Sequence, residues 1–394
     1  MHIVFRISLG GGPEALLKNL APLFKKEELK VTVILEKLQF RATHKFPKYF
    51  NIVALEKGSI LPYYLYRLFG NLDLLKPYVS YLLEKEKESR LHKTLSSIES
   101  KEKIDIVEVT EGQFVDRISK KWRVFTRAHG SNWSFRSFCK DQDDSIDSYL
   151  IKWQRKQHLL SEKNFAISQH TKNHLTETCR LPEGTIEFIP YPIPMEAFQN
   201  ATAASIEDLP EKAPLILSIG RLEKRKGMDT LVQAMPKVWK HFPETCLLLL
   251  GKETEFTIDQ LRQMVPKDKR IQIIYPGFVH YSTIPSYYKA ATVYVSASQY
   301  ETFGYTLLES MAAGTPVICT DRGAMPELIE NDKNGLVTPY DDIQTLSASI
   351  IKMLSSESLR KEFKKAGFKK AKNYDMATIG NKTIDAYKDL VHGC

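Results

Sequence analysis

Glu301-Thr302-Phe303-Gly304-Tyr305-Thr306-Leu307-Leu308-Glu309 follows the apolar run Val293-Tyr294-Val295-Ser296 after a short gap. The run predicts a strand, because β-branched and aromatic residues suit a buried pleated surface. A helix is expected to start near Gly304 and run to Ala313, with Leu307, Leu308 and Met311 on its apolar face. Strand, loop and helix in that order form half of a βαβ unit. Glu301 stands ahead of the helix, and the amides at Phe303 and Gly304 lie where a helix N-terminus favours phosphate. Glu309 falls two turns in, placed to accept hydrogen bonds from both hydroxyls of a ribose. Two glutamates eight apart carry no message alone; on this strand, loop and helix they do.

The same alternation extends in both directions. Strands are expected at His2–Ile7, Val31–Leu35, Ile104–Val109, Val124–Ala128, Phe165–Ser168 and Ile186–Ile189. A second series is Leu215–Ile219, Cys246–Leu250, Ile271–Tyr275, Val293–Ser296, Val317–Thr320 and Gly335–Val337. Helical periodicity lies between most of them, as in Pro13–Phe24 and Met228–His241, which predicts parallel sheets covered on both faces. Pro190-Tyr191-Pro192-Ile193-Pro194 interrupts the pattern, since three prolines lack donors and restrict their predecessors. A small, polar, aperiodic stretch follows to Pro214. Two α/β domains joined by a linker, with a cleft between them, are the expectation. The last helices, from about Ile343 to Val391, are Lys-rich on one side, most simply a solvated face.

Composition excludes several classes. The 394 residues are 43% hydrophobic and 26% charged, ordinary globular values. No apolar run approaches the roughly 18 residues of a membrane span. The opening Met1-His2-Ile3-Val4-Phe5-Arg6 lacks the layout of a signal peptide. The five cysteines are odd in number and form no CxxC pair, so a disulfide framework or structural zinc site is not expected. A reducing, cytoplasmic setting fits. Net charge is +9, with 31 Lys and Arg against 24 Asp and Glu in residues 1–200 and 25 against 23 beyond. A basic half suits an anionic partner or is simply a soluble face. Lacking a basic block with interleaved aromatics, it does not suggest nucleic acid.

Two glycine turns carry chemistry. Gly10-Gly11-Gly12-Pro13 follows the first strand and opens a helix, where free amides favour phosphate oxygens. With Ala15 it also satisfies the dinucleotide fingerprint, and Glu36 ends the second strand where a ribose-binding acid would sit. An NAD(P) oxidoreductase is therefore an open alternative on this half. Gly220-Arg221-Leu222-Glu223-Lys224-Arg225-Lys226-Gly227 follows the first strand of the second domain. Arg221 and Lys226 are suited to clamp a diphosphate and offset charge that builds as a bond breaks. Met in isolation, the same stretch is equally a basic surface turn.

With these segments together, the sequence resembles a retaining glycosyltransferase of family 4, of the group 1 type. The resemblance is carried by Gly10-Gly11-Gly12, Arg127-Ala128-His129-Gly130, Gly220-Arg221-Leu222 with Lys226-Gly227, and Glu301-Thr302-Phe303-Gly304 with Glu309. Ala312-Ala313-Gly314-Thr315-Pro316-Val317 and Gly323-Ala324-Met325-Pro326-Glu327 complete it. It implies the GT-B fold: α/β, two Rossmann-like domains with parallel sheets facing a central cleft. The domains implied are 1–192, acceptor-binding, and 193–375, nucleotide-sugar-binding, with a C-terminal helix at 376–394 returning to the first. Family likeness places Arg221 and Lys226 on the diphosphate, Glu309 on the ribose and Glu301 beside the donor sugar, with His129 reaching that sugar. Gly11, Gly12, Gly220, Phe303, Gly304 and Tyr305 complete the expected nucleotide-sugar site.

Two departures stand out. Tyr191-Pro192-Ile193-Pro194 replaces an Asn-Gly-Val-Asp type of segment, and position 305 is Tyr where the family usually has an aliphatic residue. Asp141-Gln142-Asp143 has a metal-binding D-x-D form but lies in a polar loop, so no metal or other cofactor is expected. His158, His170, His174, His241 and His280 show no convincing ligand spacing, although His170 and His174 are a turn apart. The expected activity is transfer of a hexose or N-acetylhexosamine from a nucleotide diphosphate sugar, with UDP preferred and GDP-mannose the other choice. The acceptor is a glycan, lipid-linked or small molecule, and nucleic acid is not a partner. No covalent nucleophile is evident, so the diphosphate would leave from the front face, with water excluded as the domains close. The basic half is compatible with peripheral contact at the inner face of an anionic membrane. A non-catalytic sugar-nucleotide-binding protein is the remaining alternative.

Overall fold

In the computed structural model, β-branched and leucine-rich runs form two separate parallel sheets. The structure describes residues 1–7, 11–36, 46–57, 61, 64, 68, 76–130 and 144–392. Gly10 and the Asp141–Asp143 element lie outside these residues. The chain divides into two compact units, Met1–Pro192 with Ile379–Cys394, and Ile193–Thr378.

The first unit holds β1 (His2–Arg6), β2 (Lys30–Leu35), β3 (Asn51–Ala54), β4 (Ile106–Thr110), β5 (Val124–Ala128), β6 (Lys163–Ala166) and β7 (Ile186–Phe188). They align in the order β3-β2-β1-β4-β5-β6-β7, every pairing parallel. Ile3 and Val4 on β1 and Val31 and Val33 on β2 are wholly buried, as expected of a sheet covered on both faces. Longer helices include α1 (Gly11–Lys26), α2 (Lys76–Glu99) and α3 (Asp144–Leu160). β3 was not expected from sequence: it is a four-residue edge strand, half exposed, with too short an apolar pair to show a period. β6 starts two residues earlier than Phe165, because Lys163 and Asn164 pair with Phe125 and Thr126 despite being polar.

The second unit holds β8 (Leu215–Ile219), β9 (Cys246–Leu250), β10 (Ile273–Gly277), β11 (Val293–Ser296), β12 (Val317–Thr320) and β13 (Leu336–Thr338), in the order β10-β9-β8-β11-β12-β13. Its pairings are also all parallel. The main helices are α4 (Met228–His241), α5 (Tyr305–Ala313), α6 (Ile343–Ser355) and α7 (Glu357–Lys372). Leu231, Met235 and Val238 of α4 and Ile350 and Met353 of α6 enter one core with Ile216, Leu247 and Val293 of the sheet. Strand order in each sheet reverses beside its first strand, at β1/β4 and at β8/β11. The loops leaving the carboxyl ends of such strands open a crevice where ligands of doubly wound folds sit.

The last helix, α8 (Asn381–His392), packs on the first unit. Tyr387 is fully buried there, and its hydroxyl donates to Glu108 Oε2 at 2.6 Å while Arg127 Nη2 donates to it at 3.0 Å. Arg127, itself fully buried, meets Glu108 Oε1 at 2.9 Å and stands 4.5 Å over the Phe165 ring. Lys388 pairs with Glu27 at 2.6 Å and Lys382 donates to the Phe188 carbonyl at 2.7 Å. The Lys-rich side is thus not wholly a solvated face: on α8 two lysines are docking contacts. Among the described residues no helix is long and apolar enough to cross a membrane. Cys179, Cys246 and Cys319 are buried free thiols.

Candidate functional site

The site of the second unit grows from the two loops at its switch point. After β8, Lys224–Lys226 make a single tight turn and Gly227 leads into α4. Arg221 Nη2 and Arg225 Nη2 meet the same oxygen, Glu223 Oε1, at 3.1 Å and 2.9 Å. The Arg221 side chain is 54% exposed and that of Glu223 only 10%. A buried carboxylate therefore holds two guanidinium groups along one edge of the turn. Gln299 N donates to the Arg225 carbonyl at 2.8 Å, joining this turn to the loop after β11.

That second loop delivers Glu301. Lys226 Nζ reaches Glu301 Oε1 at 2.5 Å, and Ser298 Oγ donates to the same oxygen at 2.9 Å. Burial pushes the Glu301 carboxyl up, but Lys226, with help from Arg225 and Ser298, outweighs it and holds the group below its ordinary value. The backbone of Glu301 is fixed from behind. Ala324 N donates to its carbonyl at 2.8 Å, and a Cβ on Gly323, at φ +61°, would lie 2.2 Å from that carbonyl oxygen. Only glycine allows this approach.

Gly304, in the left-handed region, precedes α5, and its carbonyl accepts from Leu307 N at 3.0 Å and Leu308 N at 3.2 Å. Phe303 is buried, edge-on to Tyr305 at 5.5 Å and Tyr374 at 5.9 Å, so its ring belongs to the packing. Glu309 is 5% exposed, and Tyr288 Oη, also buried, donates to its Oε2 at 3.0 Å. Burial carries the Glu309 carboxyl up to about 7, against the downward pull of the Tyr288 and Tyr281 hydroxyls.

The first unit has its own cluster at the carboxyl ends of β1 and β5. Gly11 and Gly12 start α1. His129 follows β5 directly, its Nδ1 hydrogen-bonded to the hydroxyl of Tyr191. Burial, reinforced by the Arg127 cation, keeps the His129 pKa well below its ordinary value, so the imidazole is neutral. Glu36, the acid of the dinucleotide alternative, is engaged by Arg6 at 3.4 Å and Arg90 at 3.9 Å. Among the described residues no group of three or more His, Cys, Asp or Glu is arranged to hold a metal ion.

Residues 200–370 match the model of the family described as glycosyl transferases group 1. The chain is 31% identical over 208 residues to a phosphatidyl-myo-inositol mannosyltransferase of Mycobacterium tuberculosis, covering 51% of this chain and 53% of that one. It is 33% identical over 175 residues to O-antigen chain mannosyltransferase B of Escherichia coli, covering 44% and 45%. The chain spans about half the length of the curated relatives it matches. HepE of Anabaena, solved with UDP-glucose, is similar over 99% of this chain and 100% of its own, at a TM-score of 0.71 and 16% identity. That likeness is one of fold: the two-domain Rossmann-like α/β architecture called GT-B.

Of the expected site residues in the second unit, Lys226 and Glu301 are brought into direct contact. Gly220 and Arg221 lie on the turn beside them, and Gly304 and Tyr305 at the start of α5. Glu309 lies deeper than a rim position, already bonded to tyrosine. Glu223, Ser298 and Tyr288 had no signal of their own in the sequence. Their roles arise from partners 2 to 21 residues away, at 2.9 Å to 3.1 Å. Tyr191 did have a signal, as the point where the segment after β7 departs from the family pattern.

Proposed function

We propose that the protein is a retaining glycosyltransferase. It would move a hexose or N-acetylhexosamine from a nucleotide diphosphate sugar to the hydroxyl of a glycan, lipid-linked or small-molecule acceptor. The observation that carries this reading is the Lys226–Glu301 pair at the β8/β11 switch point, beside the N-terminus of α5. An ammonium has three N–H donors, so Lys226 can stay on Glu301 and also donate to a diphosphate oxygen. With Arg221 it offsets the charge that builds as the bond from the anomeric carbon to phosphate breaks. The acceptor oxygen forms its bond on the same face, and its proton passes to the departing diphosphate. Glu301 would receive sugar hydroxyls, His129 would contact the donor sugar, and Glu309 the ribose. The turns at Gly11, Gly12 and Gly220, with Phe303, Gly304 and Tyr305, would border the nucleotide sugar.

A UDP-sugar is the donor we favour, in line with the UDP-glucose bound by HepE. GDP-mannose is a second reading, supported by the mannosyltransferase names of the relatives. Work at the cytoplasmic face of an anionic membrane would suit a lipid-linked acceptor. A thermal-shift panel of UDP, GDP, ADP and NAD tests the reading, because a ligand of the native state raises the melting temperature. UDP or GDP should shift it and NAD should not; a shift by NAD alone would restore the oxidoreductase alternative. Donor hydrolysis that persists in EDTA would separate this enzyme from both a metal-dependent one and a non-catalytic binder.

A further inference from the structure

The lysine-rich stretch near the end of the chain has a second part, on α7, which the reaction as written above does not use. Glu357–Lys372 holds seven Lys and Arg against two Glu, while the other residues of 201–394 hold 18 against 21. The positive charge of this half is therefore gathered on one helix. Phe363, Gly367 and Ala371, at four-residue spacing, form its buried side. A Cβ on Gly367 would stand 3.0 Å from Met311 Cγ, so α7 lies close against α5. On the outer side Lys361, Lys364, Lys365, Lys369 and Lys372 are all exposed. Lys361, Lys365 and Lys369 stand one above another on successive turns. Glu357 pairs with Lys361 at 2.7 Å, and Glu330 meets Lys370 at 3.8 Å. Among the described residues no carboxylate pairs with Lys364, Lys365, Lys369 or Lys372. Burial and the Lys364 charge hold Lys289, on the helix Ile284–Ala290, below its ordinary pKa, so the basic patch continues past α7.

We propose that the exposed face of α7 is a docking surface for an anionic phospholipid bilayer, met through its lysines and without insertion. Lysines three and four residues apart repel one another and oppose the helix. The helix dipole offsets this for Lys369, Lys370 and Lys372 in the last turn, but not for Lys361, Lys364 and Lys365. A sheet of negative charge offsets it for all of them together. The apolar side of α7 is already buried in its own unit, which leaves electrostatic adsorption as the mode of contact. The row is Lys rather than Arg, a point charge on a flexible stem, suited to a fluid headgroup layer rather than to fixed bidentate phosphate contacts. Nucleic acid fits less well. Phe368 is half-buried with Lys372 Nζ 5.2 Å over its ring, so α7 offers no open aromatic face to a base.

Binding is read without turnover, so it stands apart from the transferase reading. Full-length protein should co-sediment with vesicles of phosphatidylglycerol in phosphatidylcholine, not with phosphatidylcholine alone, and high salt should release it. Lys361→Gln, Lys365→Gln and Lys369→Gln, made together, keep a good helix former at each position. This variant should partition onto the anionic vesicles about a hundredfold more weakly, at about fivefold for each lysine, with an unchanged melting temperature. Arg at the same three positions should bind as the wild type does. The comparison variant, Lys101→Gln with Lys103→Gln and Lys120→Gln, removes the same charge from exposed positions of the first unit and should also keep binding. Equal loss in the two Gln variants would make adsorption a matter of net charge and overturn the proposal. So would an Arg variant that no longer binds, or a wild type that ignores anionic vesicles or takes neutral ones equally well. Retention on duplex DNA with no vesicle binding would assign the face to another polyanion and likewise overturn it. Failure to turn over any nucleotide sugar would overturn the transferase reading instead, and the vesicle result would still decide the role of α7.

Discussion

Lys226, Arg221 and Lys224 sit on one turn with three different surroundings. Lys226 is on Glu301, Arg221 on Glu223, and Lys224 is exposed. Lys226→Ala and Arg221→Ala should each lower kcat about a hundredfold to a thousandfold, as expected for a lost electrostatic group at a leaving diphosphate. Lys224→Ala should change it little. Steady-state kinetics of the three variants checks this, and equal kcat values would remove the leaving-group clamp. Their stabilities should also differ. Arg221→Ala leaves Glu223 paired with Arg225, whereas Lys226→Ala strips the main partner from a mostly buried carboxylate and costs more. Glu309 adds a pH signature. Its folded value, about 7, lies above its unfolded value near 4.5. The stabilisation is therefore complete below the unfolded value and is lost as pH rises through the folded one. Glu309→Gln removes that slope, so its stability relative to the wild type should rise between pH 5 and pH 8 by up to about 3 kcal/mol. Urea unfolding across that range measures it; a difference independent of pH would contradict the burial argument. The same variant should bind UDP about tenfold to a hundredfold more weakly if the carboxyl meets the ribose.

Among the elements, the loop between β11 and α5 holds Glu301, which the proposed reaction uses, and its shape is imposed by a different segment. Gly323, just after β12, backs onto the peptide of Glu301 so closely that a methyl group has no room. An alanine there also carries the left-handed φ, a cost of about 1–2 kcal/mol before any contact is counted. Gly323→Ala should therefore destabilise the second unit by about 2 kcal/mol or more and lower kcat through the displaced Glu301. A variant of normal stability and normal kcat would show that the loop does not depend on this support. The β8–α4 turn is secured in a similar way, by Gln299 N on the Arg225 carbonyl.

For the whole molecule, the notable connection is between the C-terminal helix α8 and the sheet of the first unit. Tyr387 enters a buried pair, Arg127 with Glu108, as a third member that both donates and accepts. Removing its hydroxyl leaves a buried guanidinium and a buried carboxylate each one partner short. Tyr387→Phe should therefore cost about 1.5–3 kcal/mol of stability, the scale for hydrogen bonds to charged groups. Chemical denaturation of full-length protein checks this. A cost below about 0.5 kcal/mol, the range of ordinary surface changes, would mean that the ion pair does not need the tyrosine.

Most of the fold was legible in the sequence because parallel strands buried on both faces are written as continuous apolar runs. Val124–Ala128, Leu215–Ile219 and Cys246–Leu250 have the same limits in sequence and structure. The edge strand β3 was not legible, since an exposed edge needs no such run. The Lys226–Glu301 contact was half legible: strand, turn and helix place both residues at carboxyl ends of strands. That β8 and β11 are neighbours is a matter of strand order, which periodicity does not encode. Only the tertiary structure decided that Glu309 is bonded to Tyr288, that Glu223 holds two arginines and that Tyr191 meets both Gly12 and His129. Each depends on segments distant along the chain meeting within hydrogen-bond range. A local pattern reports which face a side chain takes, not what lies opposite it.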